Sequence, residues 1–214
     1  MRENVIKAIE ENKIIAIIRG ISPEDAVEVA KALYEGGVKL VEVTFNQSAP
    51  EKLIDTAIAI KSIKDALGDK VLVGAGTVLN KKQVDMAFNA GAEYIISPDT
   101  DVKVIKRTIK KGMVSLPGAF TPSEAKKAYD AGADFVKIFP CQSSSYVKAV
   151  KAPLSHVKFL AVGGVSVDNA KEFIKAGAVG VGVGSSLVNG ALVKAKEFDK
   201  ITETAKKLVE LVND

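Results

Sequence analysis

Four times the chain repeats one short pattern, a helix-like segment that ends at glycine and runs straight into an apolar stretch. The copies are Glu35-Gly-Gly-Val-Lys-Leu-Val, Asn89-Ala-Gly-Ala-Glu-Tyr-Ile, Asp130-Ala-Gly-Ala-Asp-Phe-Val and Lys175-Ala-Gly-Ala-Val-Gly-Val. Glycine at that position supplies the left-handed residue that closes a helix, and the apolar run that follows reads as a buried strand. Eight such runs occur, at 14–18, 39–45, 71–75, 93–96, 113–117, 134–139, 157–162 and 179–183. Between them helical periodicity covers 23–35, 49–67, 81–90, 101–111, 122–131, 145–152, 167–176 and 193–213. Ser22-Pro23-Glu24-Asp25 and Thr121-Pro122-Ser123-Glu124 each place a capping hydroxyl before proline and an acid three residues on.

Strands that are apolar throughout and separated by helices make a parallel sheet covered on its outer face. Eight βα units predict a closed (β/α)8 TIM barrel in the α/β class, with residues 1–11 as an extra N-terminal helix and residues 1–214 as one domain. An open doubly wound sheet is the competing architecture, but no G-x-G-x-x-G follows the first strand.

Composition narrows the partners. The net charge is +4 and the lysines are spread along helical segments such as 102–111 and 194–207, which reads as solvated helix faces and gives no nucleic-acid footprint. A mildly basic surface still favours a phosphorylated small molecule. One cysteine, Cys141, excludes an internal disulfide, and one histidine, His156, cannot build a His/Cys metal site with it. No apolar run reaches membrane-span length and no signal peptide is evident, so a cytoplasmic protein without membrane, metal or cofactor is expected.

A barrel does its chemistry at the C-terminal ends of its strands. Lys137, in Phe135-Val-Lys-Ile-Phe-Pro140, shares a strand face with Phe135 and Phe139. Desolvated there, its amine would lose its proton more readily and could attack a ketone; a lysine snorkelling to water is the plainer alternative. Glu42 holds the same kind of place on the second strand, between Leu40 and Thr44. The two fit either a buried ion pair or an imine-forming amine with a proton-moving carboxyl. Gly163-Gly164 and Gly184-Ser185-Ser186 follow strands seven and eight, where barrels bind phosphate, although tight turns alone would also need glycine. Arg19 exits the first strand and suits a carboxylate, a phosphate or a rim salt bridge. Gly76-Thr77 and Pro117 mark the exits of strands three and five, His156 reads as a surface residue, and Cys141 is given no role.

Together, Ile15-Ala-Ile-Ile-Arg-Gly-Ile-Ser-Pro-Glu-Asp-Ala, Val41-Glu-Val-Thr-Phe, Gly74-Ala-Gly-Thr-Val-Leu, Val136-Lys-Ile-Phe-Pro and Ala161-Val-Gly-Gly-Val resemble the bacterial 2-keto-3-deoxy-6-phosphogluconate aldolase family, which includes the 6-phosphogalactonate aldolases. The resemblance runs from about residue 12 to 190. It implies a metal-free class I aldolase, a homotrimer, that cleaves a 2-keto-3-deoxy-6-phospho sugar acid to pyruvate and glyceraldehyde 3-phosphate. Lys137 falls on the family's Schiff-base lysine and Glu42 on its proton-shuttling glutamate. Arg19 and Thr77 fall on positions that hold the pyruvate-like end, and Gly163, Gly164, Gly184 and Ser185 on the phosphate loops; Pro117, Phe139 and Val162 complete the expected binding set.

Two positions depart from the gluconate-type pattern. Val162 replaces a threonine near the substrate's C4 hydroxyl, and Asn46 stands where an arginine is usual. Both resemble the galactonate branch, and activity on either C4 epimer with a lean toward the galactonate form is expected. A phosphate-binding barrel isomerase or synthase and a non-catalytic phosphosugar-binding barrel are the alternatives.

Overall fold

The computed structural model describes residues 2–213. Residues 1 and 214, which end the expected N-terminal helix and the expected domain, lie outside them. Helix α1 (Arg2–Asn12) leads into β1 (Ile14–Ile18), α2 (Pro23–Glu35), β2 (Leu40–Thr44), α3 (Leu53–Leu67), β3 (Leu72–Gly76), α4 (Lys81–Asn89), β4 (Tyr94–Ile96) and α5 (Val102–Lys110). The chain continues through β5 (Val114–Leu116), β6 (Gly118–Ala119), α6 (Pro122–Asp130), β7 (Val136–Ile138), α7 (Ser144–Lys151), β8 (Phe159–Val162), α8 (Ala170–Lys175), β9 (Gly180–Val183), α9 (Gly190–Lys194) and α10 (Phe198–Asn213). The strands pair in parallel in the order β5-β4-β3-β2-β1-β9-β8-β7-β6. The two ends of that order are neighbours in the chain, joined through Pro117, so the sheet closes as a TIM barrel.

Nine segments stand for eight staves because Pro117 splits the fifth. It has no N–H to give to the ladder, and the stave changes partner there: Ser97 N donates to Leu116 O before it, and Lys137 N to Pro117 O after it. The expected helix 193–213 is likewise two helices, α9 and α10, because Lys196 takes a left-handed backbone (φ 59°) with no glycine or proline to announce it. The expected helix 167–176 begins only at Ala170, and the segment from 49 opens as a 3-10 turn, Pro50–Lys52. Both expected caps form: Ser22 accepts from Asp25 N, and Thr121 with Glu124 makes a reciprocal capping box.

The repeated glycines behave as read. Gly37, Gly91, Gly132 and Gly177 have φ between 90° and 101°, and the residue after each donates back into the helix, as Val38 N does to Leu33 O and Ala92 N to Ala87 O. Two copies carry an acid at the strand entrance with an equivalent task. Glu93 accepts from Val73 N and Asp134 from Ser115 N, at 3.1 and 2.9 Å, each tying its stave to the preceding one.

Two apolar layers follow from the two-residue period of a strand. Ile14, Ala16, Val41, Val43, Val73, Ala75, Val136 and Val181 face the helices. Ile15, Leu40, Tyr94, Leu116, Phe135 and Leu160 face inward, with Val5 and Ile9 of α1 packed against their lower ends as a plug. The interior is uneven, because β3 points two glycines into it. A Cβ on Gly74 would lie 2.1 Å from the Tyr94 ring, and one on Gly76 would lie 1.7 Å from Glu42 Oε1. Tyr94 also donates its hydroxyl to Val41 O at 2.6 Å, so the ring cannot withdraw without stranding a buried polar group.

Gly74→Ala should therefore cost about 1–3 kcal/mol of overpacking, read as a lower urea midpoint. Gly190→Ala, whose Cβ would meet open space at the start of α9, should leave the midpoint within about 0.5 kcal/mol of wild type.

Candidate active site

Lys137 and Glu42 lie on inward faces near the upper mouth of the barrel, exposed by only 5% and 2%. Lys137 belongs to β7 between the apolar neighbours Val136 and Ile138, and its Nζ sits 4.3 Å from the centroid of the Phe139 ring. Glu42 belongs to β2, in register with Gly74, and its carboxyl lies across the backbone of Gly76, which has no side chain to obstruct it. Burial pushes the Glu42 carboxyl above the usual range, while Lys137 and Arg19 pull it back. Burial lowers the Lys137 pKa; the charge of Glu42 opposes that shift and the charge of Arg19 adds to it. Desolvation dominates on both residues, which favours the neutral amine and the neutral acid.

Arg19 and Phe139 link this pair to a neighbouring cleft, whose lining includes neither Lys137 nor Glu42. Arg19, Phe139, Val162, Gly163, Gly164, Gly184 and Ser185 line one cleft of about 470 Å3 at the C-terminal mouth. Thr77 meets the cleft through Arg19, whose Nη2 donates to Thr77 Oγ1 at 3.4 Å. Pro117 is buried beside the lysine stave and accepts the Lys137 N–H at 2.9 Å. Gly163 and Gly164 are both left-handed (φ 104° and 68°), a pair of conformations that side-chain-bearing residues rarely adopt. Ser186 Oγ donates to Val165 O at 2.7 Å, which joins the two glycine loops. Asn46 is turned to its own loop, accepting from Ser48 N.

Several lining residues escaped the sequence reading. Ile17 and Gly182 face the cleft by the same alternation that turns Lys137 inward, a signal present in the sequence. Val165, Ser166, Val188 and Gly190 lie beyond the strand ends, where no periodicity points inward. His156 stands outside this group, edge-on to Tyr129 with ring centroids 4.7 Å apart. Cys141 is buried and its thiol is pushed up to about 11, so it is inert as a nucleophile at neutral pH. Among the described residues no group of three or more His, Cys, Asp or Glu is placed to hold a metal.

An amine and a carboxyl desolvated together in a β/α barrel are groups that imine formation and proton transfer can use. The family model for KDPG and KHG aldolases matches residues 5–204, and the chain belongs to that family; it is an aldolase. A 2-dehydro-3-deoxy-6-phosphogalactonate aldolase from Escherichia coli K12 is 41% identical over 81% of this chain and 83% of its own length. A solved structure described as native KDPGal is 37% identical and covers 94% of both chains at a TM-score of 0.84. A KDPG aldolase from Legionella pneumophila, described with pyruvate captured at low pH as a covalent carbinolamine intermediate, is 27% identical, covering 95% of this chain and 97% of its own at a TM-score of 0.83.

Lys137→Met should raise the Glu42 pKa further, because it removes an attraction that lowers it and leaves burial opposed by Arg19 alone. Carboxyl 13C NMR of the two proteins reads the shift, and an unmoved Glu42 midpoint would show that the two groups are not coupled through the cavity.

Proposed function

We propose that Lys137 forms the Schiff base of a class I aldolase acting on a 2-keto-3-deoxy-6-phospho sugar acid, with Glu42 moving the protons. The observation that carries this reading is the joint burial of the two groups, each shifted toward its neutral form. The neutral amine adds to the C2 ketone, and loss of water leaves an iminium. A proton leaves the C4 hydroxyl as the C3–C4 bond breaks, and its electrons pass into the iminium. Glyceraldehyde 3-phosphate departs. The enamine is then protonated at C3, and water hydrolyses the imine to release pyruvate and the lysine. Glu42 accepts and returns these protons, a task suited to a carboxyl whose pKa is raised toward neutrality. Arg19 and Thr77 hold the carboxylate end, Pro117 and Phe139 wall the imine, and Gly163, Gly164, Gly184 and Ser185 receive the phosphate. No cofactor enters this scheme.

Val162 bears on which epimer is used. It is buried, and its Cγ2 would lie 2.7 Å from a Cβ on Gly182, so it packs the cleft floor without offering a hydrogen bond. A methyl group cannot reward one C4 configuration, which supports turnover of both epimers. The kinship with the galactonate enzyme of E. coli leans the choice toward the galactonate form.

Residues 1–214 act as one barrel unit in this reading, and three copies form a homotrimer in the cytoplasm. Ile54 and Ile58 are exposed by 54% and 46% and, with Ala57, Met86 and Ala90, make an apolar groove on α3 and α4. A threefold ring joins two different surfaces of each copy, and this groove suits one of them. No described helix is long and apolar enough to cross a membrane.

Incubation with pyruvate and borohydride should add a pyruvyl mass to the peptide that contains Lys137, and Lys137→Ala should abolish it. Absence of the adduct in the wild type, with phosphorylated ligands still binding, would point to an isomerase or a binding protein instead. Trapping should weaken as pH falls through the lowered Lys137 pKa. Since Glu42 opposes that lowering, Glu42→Gln should move the midpoint to lower pH still. In a lactate-dehydrogenase-coupled assay both C4 epimers should release pyruvate, and Val162→Thr should shift the ratio of kcat/KM toward the gluconate form by about tenfold. Ile58→Glu should reduce the sedimenting mass to that of smaller species.

A further inference from the structure

The exit of β3 carries a backbone that its side chain does not favour. Thr77 has φ 56°, left-handed, where a β-branched residue is strained. Such a conformation persists only when its surroundings hold it, and here the holding atoms are named. Gln83, in the first turn of α4 and 2% exposed, accepts from Leu79 N through Oε1 at 2.7 Å. Its Nε2 donates to Gln47 Oε1 at 2.9 Å, and Gln47 Nε2 donates to the Thr77 carbonyl at 2.7 Å. The flanking groups are held as well: Gly76 O accepts from Phe45 N, Val78 N donates to Ile96 O, and Ser97 Oγ donates to Val78 O.

This relay has one possible polarity. The Leu79 N–H can only donate and the Thr77 carbonyl can only accept, so each amide between them has a single allowed orientation. The far end of the relay is anchored too, since Gln83 N donates to Asn80 Oδ1, the N-cap of α4. Gln47 belongs to the loop after β2, the stave of Glu42. The relay therefore joins the exit of the glutamate stave to the exit of the threonine stave and aims Thr77 Oγ1 at Arg19.

We infer that Gln47 and Gln83 are positioning residues: their amide relay holds Thr77 in its left-handed conformation so that its hydroxyl and Arg19 form one binding point for the keto acid carboxylate. The inference rests on the reading of Thr77 and Arg19 given above. Neither glutamine lines the cleft, and both act through Thr77 alone.

Gln47→Leu, at a half-buried position, is the primary test. The pyruvate concentration for half-maximal borohydride trapping at Lys137, and KM for the phosphorylated keto acid, should each rise about tenfold, with kcat within about twofold of wild type. Gln47→Glu keeps the size but turns an acceptor toward the Thr77 carbonyl, and should fail to restore binding. In the background of Thr77→Val the Gln47→Leu change should add less than about twofold, since the effect passes through the hydroxyl. A raised half-saturation for Thr77→Val beside an unchanged one for Gln47→Leu and Gln47→Glu overturns the relay alone. An unchanged half-saturation for Thr77→Val overturns the underlying reading of Thr77. A lower melting temperature for Gln47→Leu without any change in half-saturation makes the glutamines structural only and equally overturns the inference.

Discussion

The interior of a small barrel has to be filled from its staves, and here one stave contributes almost nothing to its upper half. Gly74 and Gly76 leave β3 bare, and the vacated volume is taken by Tyr94 from one side and by Glu42 from the other. That exchange decides the rest of the mouth. Glu42 reaches its place because nothing on Gly76 blocks it, and there it shares a dry space with Lys137. The opposed pKa shifts of the pair are consequences of packing before they are features of catalysis.

Burying an acid and an amine together is unfavourable for stability unless each has a partner or gives up its charge. Burial shifts both groups in the second direction, toward their neutral forms, and each charge partly offsets the shift on the other. Ile15, Leu40, Phe135 and Leu160 are nearly solvent-free beneath the pair, and the plug of α1 keeps water out from below. The polar side of the site is built from loops, where the left-handed turns at Gly163 and Gly164 and the strained backbone of Thr77 set direction. A rigid apolar floor and a strained polar rim divide the work.

Much of this was legible in the residues. The period-two pattern placed Lys137 and Glu42 on inward faces, the repeated glycine phrase announced the helix ends, and the strand exits named the cleft. What was hidden depends on neighbours distant in sequence. Gly76-Thr77 read only as a strand exit, whereas Gly74 and Gly76 make room for Tyr94 and Glu42; only the register of β2, β3 and β4 shows this. The division of the last helix at Lys196 has no local signal, because lysine carries no preference for a left-handed backbone. Pro117 was visible as a stave exit but not as the point where the stave changes partners. The link between Gln47 and Gln83 spans 36 residues and obeys no periodicity, so only folding reveals it.

The plug formed by Val5 and Ile9 has a kinetic meaning. With Val5 and Ile9 packed beneath the inner layer, the C-terminal mouth is the doorway that substrate, both products and the hydrolytic water would share in the proposed reaction. In the proposed reaction the phosphorylated aldehyde, held at the glycine loops, would stand between the lysine and the solvent. Departure in the proposed reaction would then be ordered, aldehyde first and pyruvate second, and in the synthetic direction the three-carbon acid would arrive before its partner. A sealed floor thus turns a reversible bond-breaking centre into a queue.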